Sequence, residues 1–176
     1  KLNQRIEGDL ISNPYNITVL SNITVNQIKE ILEYSLRSDG INANVVIGNY
    51  DNIAQDSIKF QETNVIIIFW ELSNIVDGLQ YKVELLNDEQ LEEIVENTKS
   101  EIDFVLKNLQ SVPLILFNSF TSLHFTNLNV IENNFNILAV KLNKYLEEKI
   151  NENNRLVDLE KVIVNVGLEK SIDHRY

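Results

Sequence analysis

The sequence contains no cysteine among its 176 residues. Disulfide bonds, thiolate catalysis and cysteine-ligated metal sites are therefore excluded. Long apolar runs are also missing, because the longest strong run, 65–70, falls far short of the roughly 20 residues that span a bilayer. The first residues are mixed and polar, unlike the apolar region of a signal peptide. These absences predict a cytoplasmic chain that has no membrane partner.

Positive charge is scarce as well. The chain has 15 basic and 26 acidic residues, which gives a net charge of −11. Such a chain repels phosphate backbones at long range, so no nucleic-acid partner is expected. No G-x-G-x-x-G, P-loop or pair of histidines at helical spacing occurs in the sequence. We therefore expect neither a cofactor nor a metal in this domain.

Length and periodicity together predict the fold. A chain of 176 residues with 44% hydrophobic residues can bury one core, and we interpret 1–176 as a single domain. Short apolar runs alternate with helical periods, which is typical of βαβ units in a doubly wound, mainly parallel three-layer α/β/α sandwich. The segment 64–70 is apolar on both faces and is expected to be central, in the strand order 2-1-3-4-5. The predicted strands are 17–21, 43–48, 64–70, 113–118 and 155–159, and the predicted long helices are 25–38, 88–110 and 133–151.

Two helix starts carry a capping-box pattern, in which a small polar residue precedes Gln by three positions. One runs from Thr24 to Gln27 and the other from Asn87 to Gln90. The first helix is also expected to bury one apolar face. That face comprises Ile28, Ile31, Leu32, Tyr34 and Leu36.

Ligands of open parallel sheets bind beyond the carboxyl ends of the strands. The polar and small residues predicted at those ends are Ser21, Asn22, Gly48, Glu71 and Asn118. As a functional site they would form a polar pocket, with the N-terminus of the first helix directed at an anion. The alternative interpretation is that they are ordinary turn and cap residues, with Glu71 capping the loop that follows it.

Two short motifs give the chain a family resemblance: Leu20-Ser-Asn-Ile-Thr-Val25 after the first strand, and Asp173-His-Arg-Tyr176 at the end. With the order of elements between them, the chain resembles the N-terminal domain of FkbH-like proteins, which is itself similar to the SGNH hydrolase fold. The resemblance implies a longer protein in which a haloacid dehalogenase-type catalytic domain follows. It also implies transfer of a glyceryl unit from an acyl phosphate to an acyl carrier protein, in secondary metabolite biosynthesis.

The chain departs from active SGNH enzymes where their catalytic residues would lie. Ile23 occupies the position of the nucleophilic serine, and 70–73 replace the turn that carries the oxyanion asparagine, with Asn74 out of register. Gly48 matches the glycine that donates a backbone amide. In those enzymes the catalytic Asp and His lie two residues apart, whereas here Asp173 and His174 are adjacent.

These departures favour a degenerate, non-hydrolytic module that binds an acyl donor, an acyl carrier protein or the catalytic domain of its own chain. A functional esterase or acyltransferase that uses Ser21 or Thr24 is the first alternative, and a purely structural scaffold is the second. The resemblance also predicts that Asp173 and Arg175 in the tail belong to the site.

Overall fold

The computed structural model describes residues 13–121 and 133–171. Five strands form one sheet in the order β2-β1-β3-β4-β5, and every neighbouring pair is parallel. The predicted doubly wound α/β fold and its strand order are therefore confirmed. The strands are β1 (Tyr15–Ser21), β2 (Ala43–Ile47), β3 (Val65–Phe69), β4 (Leu114–Asn118) and β5 (Asn154–Val157).

Helices occupy the connections between the strands. The three predicted long helices are present, and several short helices are found in addition. The α-helices are α1 (Ile28–Ser38), α2 (Ile53–Lys59), α3 (Leu79–Lys82), α4 (Asp88–Asn108), α5 (Asn134–Glu148), α6 (Leu159–Val166) and α7 (Leu168–Ser171). Two short 3-10 helices, Leu72–Asn74 and Val83–Leu85, flank α3.

The core lies on both faces of the sheet, as the apolar central strand predicts. On one face, Ile66 and Ile68 of β3 belong to the larger cluster, which α2, α4 and α5 cover. On the other face, Val65 of β3 belongs to a smaller cluster that includes residues of β1, β2 and α1. Of the residues described, no helix is both long and apolar enough to cross a membrane.

The start of α1 differs from its prediction. The helix begins at Ile28 rather than near 25, and Gln27 precedes it without any side-chain cap. The predicted Thr24–Gln27 capping box is therefore wrong, because a backbone turn from Val25 to Ile28 comes first.

The predicted buried face of α1 is also wrong in part. Ile31 is 69% exposed and Tyr34 is exposed as well, whereas Glu33 and Arg37 are buried. The Arg37 guanidinium donates from both Nε and Nη2 to the carbonyl of Ala43, at 3.0 and 2.8 Å. Glu33 Oε1 accepts from the amide of Val45 at 3.0 Å. The two side chains thus satisfy one carbonyl and one amide of β2 at the edge of the sheet, which explains why polar residues displace apolar ones here.

The second predicted capping box is confirmed. The Asn87 side chain accepts from the amide of Gln90, and the Gln90 side chain accepts from the amide of Asn87. The apolar stripe that follows is buried along α4, with Ile102 among its fully buried residues. Helix α5 ends at Glu148, three residues before its predicted limit of 151, and Ile150 is exposed beyond it.

Strand β5 ends two residues before its predicted limit of 159. Asp158 is the N-cap of α6, and its side chain accepts from the amide of Lys161 at 2.9 Å. The carboxylate stabilises the positive end of the helix dipole, so the chain turns into a helix at this point.

Candidate functional site

A crevice of about 480 Å³ lies at the carboxyl ends of β2 and β3. It is bounded by the loop after β2, the first turn of α2, the loop after β3 and one residue of α4. Trp70 is stacked on Phe117 of β4 beneath the crevice, with their ring centroids 6.0 Å apart. The lining residues are Tyr50, Asp51, Ile53, Ala54, Gln55, Trp70, Ser73, Asn74, Ile75, Asp77, Gly78 and Glu101.

The charged side chains that line this crevice are all acidic: Asp51, Asp77 and Glu101. Partial burial of the Glu101 carboxyl, together with the negative charge of Asp51, raises the pKa of Glu101 above its usual value. Asp51 has a φ of 51°, a left-handed conformation that Asp tolerates better than most residues. Its backbone amide donates to the carbonyl of Ser21 at 3.0 Å. The carboxylates give the crevice a negative potential, which disfavours anionic ligands. Nowhere in 13–121 or 133–171 do three or more metal-ligating side chains form a group that could hold a metal ion.

Asp56 is a fully buried residue of α2 and directly follows the crevice-lining residues Ala54 and Gln55 in the chain. Asp56 Oδ2 accepts from the amide of Asn49 at 2.6 Å, while Oδ1 accepts from the side chains of Asn52 and Lys59, each at 2.9 Å. Burial opposes ionisation of Asp56, but these hydrogen bonds outweigh it and lower the pKa of its carboxyl below the usual value. The carboxylate therefore fixes the loop that leads into the crevice.

Gly48 is required by the close approach of Asp56. A Cβ atom at position 48 would lie 2.8 Å from Asp56 Oδ2 and 2.9 Å from Leu20 Cδ2. Because such contacts are much shorter than van der Waals distances, a larger residue would displace the carboxylate or the leucine. The structure thus gives Gly48 a packing role. Its amide, which was predicted to act as a donor in a site, donates instead to the carbonyl of Val19 at 2.8 Å.

Ser21 and Gly48 line a second, smaller pocket of about 100 Å³ above the end of β1. The Ser21 hydroxyl donates to the carbonyl of Ile23 at 2.9 Å and accepts from the amide of Ile23 at 3.0 Å. Both functions of the hydroxyl are occupied by one neighbouring residue in a tight local turn. The sequence predicted an anion at the N-terminus of the first helix, but the Ile23 amide just before that helix is occupied by the same turn.

Asn22 and Asn118 extend the sheet beyond the ends of its strands. The Asn22 amide group donates to the carbonyl of Glu71 at 2.9 Å and accepts from the amide of Glu71 at 2.7 Å. Asn118 makes the same pair of bonds to the backbone of Trp70, at 3.0 and 2.7 Å. Both side chains are buried, and each makes the pair of hydrogen bonds to the chain after β3 that a neighbouring strand would otherwise make.

Glu71 caps the loop that follows β3. Its carboxylate accepts from the amide and the hydroxyl of Ser73, both at 3.4 Å, at the start of the 3-10 helix. The structure thus shows the capping role, which the sequence left open for Glu71 as the alternative to a role in a site.

The structure therefore separates the predicted site residues. Ser21 and Gly48 line the small pocket, whereas Asn22, Glu71 and Asn118 support the backbone around β3. None of the five lines the larger crevice. Asp173 and Arg175 lie outside the described residues, as do both histidines, His124 and His174. A direct role of any of these residues in ligand binding remains a prediction.

Sequence reasoning missed the acidic residues of the crevice. Asp51, Asp77 and Glu101 are far apart in the chain, and 26 acidic residues give such positions no distinctive spacing. The only local signal was the turn-rich segment 48–52 after the second strand, which does contribute to the crevice wall.

Comparisons with known proteins bear on the fold alone. No protein-family model matches the sequence. No curated protein matches it. Among solved structures, the chain is similar to the N-terminal part of the protein BF1531 from Bacteroides fragilis, which contains a phosphatase domain and is complexed with Mg. The TM-score is 0.70 at 12% sequence identity, and the match covers 98% of this chain and 49% of that one. The chain thus has the fold of about half of that structure.

Proposed function

We propose that this chain is a non-hydrolytic domain of a longer FkbH-like protein, where it docks the catalytic domain rather than acting on an ester itself. The similarity in fold to half of a protein that contains a phosphatase domain supports this arrangement. The motifs Leu20–Val25 and Asp173–Tyr176 support it independently, because they carry the same resemblance.

The bonding of Ser21 is the observation that most favours a non-hydrolytic role. A serine nucleophile must pass its proton to a base, and the oxyanion that forms needs free donors such as backbone amides. Here the hydroxyl proton is directed at the carbonyl of Ile23, and the nearest amide is already bonded to the same hydroxyl. Ile23 itself, at the usual nucleophile position, has no reactive side chain.

Charge helps to choose among the three partners that the resemblance implies. An acyl phosphate is an anion, and so is the phosphodiester that links an acyl group to its carrier protein. The chain has a net charge of −11, and its larger crevice carries three carboxylates. Both features oppose binding of those anions. The catalytic domain of the same chain is therefore the partner that we favour.

Replacing Ser21 by alanine is expected to leave ester turnover unchanged. We expect wild type and Ser21→Ala to hydrolyse p-nitrophenyl acetate at the same low rate, because the hydroxyl is held in a local turn. The measurement is initial rate at several enzyme concentrations. Thr24→Ala provides a matched control, since Thr24 is the other hydroxyl considered for the esterase alternative and is exposed.

Wild-type turnover that falls by about 100-fold or more in Ser21→Ala would establish the esterase alternative instead. The stability of each variant is measured in parallel by thermal unfolding. A loss of activity then counts only where the variant remains folded at the assay temperature.

Acetyl phosphate, the simplest acyl phosphate, is expected not to bind with a Kd below about 1 mM. The reason is the negative potential of the crevice. Isothermal titration calorimetry measures acetyl phosphate binding by wild type and by the Asp51→Asn, Asp77→Asn, Glu101→Gln triple variant. The variant removes the three carboxylates and keeps the side chains at nearly the same size. Saturable micromolar binding by wild type would show that the domain accepts the acyl donor, contrary to our choice of partner.

A further inference from the structure

The crevice at the carboxyl ends of β2 and β3 contains a hydrogen-bond donor that has no partner. Trp70 lines the crevice, although the residue is only 4% exposed. Its hydrogen bonds to Asn118 are made by the backbone amide and carbonyl, and the indole Nε1–H donates to no acceptor in the part of the chain that the structure describes. A buried indole N–H usually has a partner.

The unpartnered N–H of Trp70 faces the crevice. Among the described residues, every fully buried side-chain nitrogen or oxygen atom has a hydrogen-bond partner, so an N–H without a partner must reach an open surface. The crevice is the open surface that Trp70 lines. The ring is stacked on Phe117 with 28° between the two planes, which fixes the orientation of the indole. The crevice therefore presents a fixed donor to a ligand that carries an acceptor.

The carboxylates of the crevice lack partners as well. Within 13–121 and 133–171, the side chains of Asp51, Asp77 and Glu101 form no ion pair and no hydrogen bond, and no Lys or Arg lines the crevice. Lys82 donates to the backbone carbonyl of Asp77 rather than to its carboxylate. Burial and the charge of Asp51 raise the pKa of Glu101, and a cation bound beside both carboxylates would relieve that repulsion.

Neutral amide groups complete the polar lining of the crevice. Gln55 makes no side-chain hydrogen bond among the described residues, and Asn74 uses only its Nδ2, which donates to the carbonyl of Asn22 at 3.3 Å. The amide of Gln55 and the Oδ1 atom of Asn74 can therefore bond hydroxyl groups. The crevice volume of about 480 Å³ lies within the range of small-molecule sites, which is about 300–1,000 Å³.

We propose that the crevice is a binding site for a small hydroxylated amine, a molecule that carries a protonated amino group together with alcohol oxygens. The ammonium group pairs with the carboxylates, and an alcohol oxygen accepts from the indole N–H of Trp70. A metal ion would satisfy the carboxylates alone, because an indole N–H donates hydrogen bonds and cannot ligate a cation. This site is additional to the proposed docking role and does not depend on it.

A nuclear magnetic resonance titration of the 176-residue chain tests the proposal. Because Trp70 is the single tryptophan of the chain, its indole N–H gives one unambiguous resonance in a proton–nitrogen correlation spectrum. The probe is 3-amino-1,2-propanediol. Glycerol keeps its hydroxyl groups without the charge, and propylamine keeps the charge without the hydroxyl groups. We expect the probe to shift the indole resonance with a Kd of about 10 mM or below at about pH 7, and to bind at least about threefold more tightly than either counterpart.

Variants separate the two parts of the site. The Asp51→Asn, Asp77→Asn, Glu101→Gln triple variant is expected to weaken binding of the probe by about tenfold or more, because it removes the partners of the ammonium group. The matched control changes the net charge equally at exposed positions outside the crevice and should bind like wild type: Glu93→Gln, Glu147→Gln and Glu148→Gln. Trp70→Phe keeps the aromatic stacking and removes only the N–H, so binding should weaken by about threefold, measured from the backbone amide resonances of 73–78. Thermal unfolding checks that each variant is folded at the titration temperature.

Three results would overturn the proposal. The first is an indole resonance that does not respond to the probe, or responds equally to glycerol. The second is equal weakening in the triple variant and its control, since net charge alone would then attract the amine. The third is binding of propylamine as tight as that of the probe together with no effect of Trp70→Phe, since the crevice would then hold any cation. The titration involves no catalytic domain, so a failure of the proposed docking role leaves these expected results unchanged.

Discussion

Replacing Arg37 by methionine is expected to lower the free energy of unfolding by about 2–4 kcal/mol, because it removes the buried cation of an ion pair and the donors of a buried carbonyl. Arg37 Nη1 lies 3.9 Å from Glu33 Oε2, and both side chains are largely buried. The variant also removes the two hydrogen bonds to the carbonyl of Ala43. Methionine keeps the length of the apolar stem, so the loss reports the charge and the hydrogen bonds rather than packing. Urea denaturation followed by circular dichroism measures the change.

Lys29→Met is the control for this experiment. Lys29 Nζ lies 3.8 Å from Glu33 Oε1, but the lysine side chain is 45% exposed. An exposed pair of this kind contributes about 1 kcal/mol at most, so the control should remain close to wild type in stability. If Arg37→Met were as stable as Lys29→Met, the polar closure of the β2 edge would contribute nothing to stability.

Most of the fold could be predicted because apolar periodicity reports burial wherever the buried residues are apolar. The central strand is one example, since an apolar run such as 65–69 fits only a strand covered on both faces. Helix α4 is another, because its capping box and its apolar stripe agree with each other. In both cases the local pattern and the tertiary packing give the same answer.

The same rule fails where polar side chains are buried. In α1 the buried positions include Glu33 and Arg37, which serve the sheet edge, so periodicity selected Ile31 and Tyr34 incorrectly. Helix α2 was not predicted at all, because two of its three buried residues, Asp56 and Ser57, are polar. A buried polar residue is recognised from its partners, and those are distant in sequence.

The candidate site could be predicted only as a region. Strand ends are set by topology, so the crevice lies where an open parallel sheet is expected to bind ligands. The polar residues closest to those ends, Asn22 and Asn118, instead complete the backbone hydrogen bonding of the loop after β3. The side chains that line the crevice come from positions farther along the chain, and no sequence pattern distinguishes those positions from other loop or surface residues.

Gly48→Ala is a useful partner experiment for Asp56, which is buried like Glu33 and Arg37. The added Cβ would contact Asp56 Oδ2, so the alanine variant and Asp56→Ala act on the same few atoms. We therefore expect their effects on the free energy of unfolding to be less than additive, since loss of the carboxylate makes room for the methyl group.

Replacing Asp56 by asparagine is expected to lower the free energy of unfolding by about 2–4 kcal/mol near neutral pH. All four hydrogen bonds to the Asp56 carboxylate are donated by its neighbours, so an amide NH₂ group in its place would face donors on every side. Lys59→Met is the control, because Lys59 is 56% exposed and its pair should contribute about 1 kcal/mol or less.

The effect of Asp56→Asn should also depend on pH in a defined direction. Burial opposes ionisation of Asp56, but hydrogen bonds from Lys59, Asn49 and Asn52 outweigh it and hold the pKa of Asp56 in the folded chain below its ordinary value. A carboxyl with a depressed pKa in the folded state stabilises the fold fully above its unfolded pKa and loses that contribution as the pH falls through the folded value. The stability difference between wild type and Asp56→Asn should therefore be constant from about pH 7 to pH 5 and shrink below about pH 4. Urea unfolding of both proteins across that range measures it. A difference that grew on acidification would show that the Asp56 carboxyl is protonated, rather than ionised, in the folded chain.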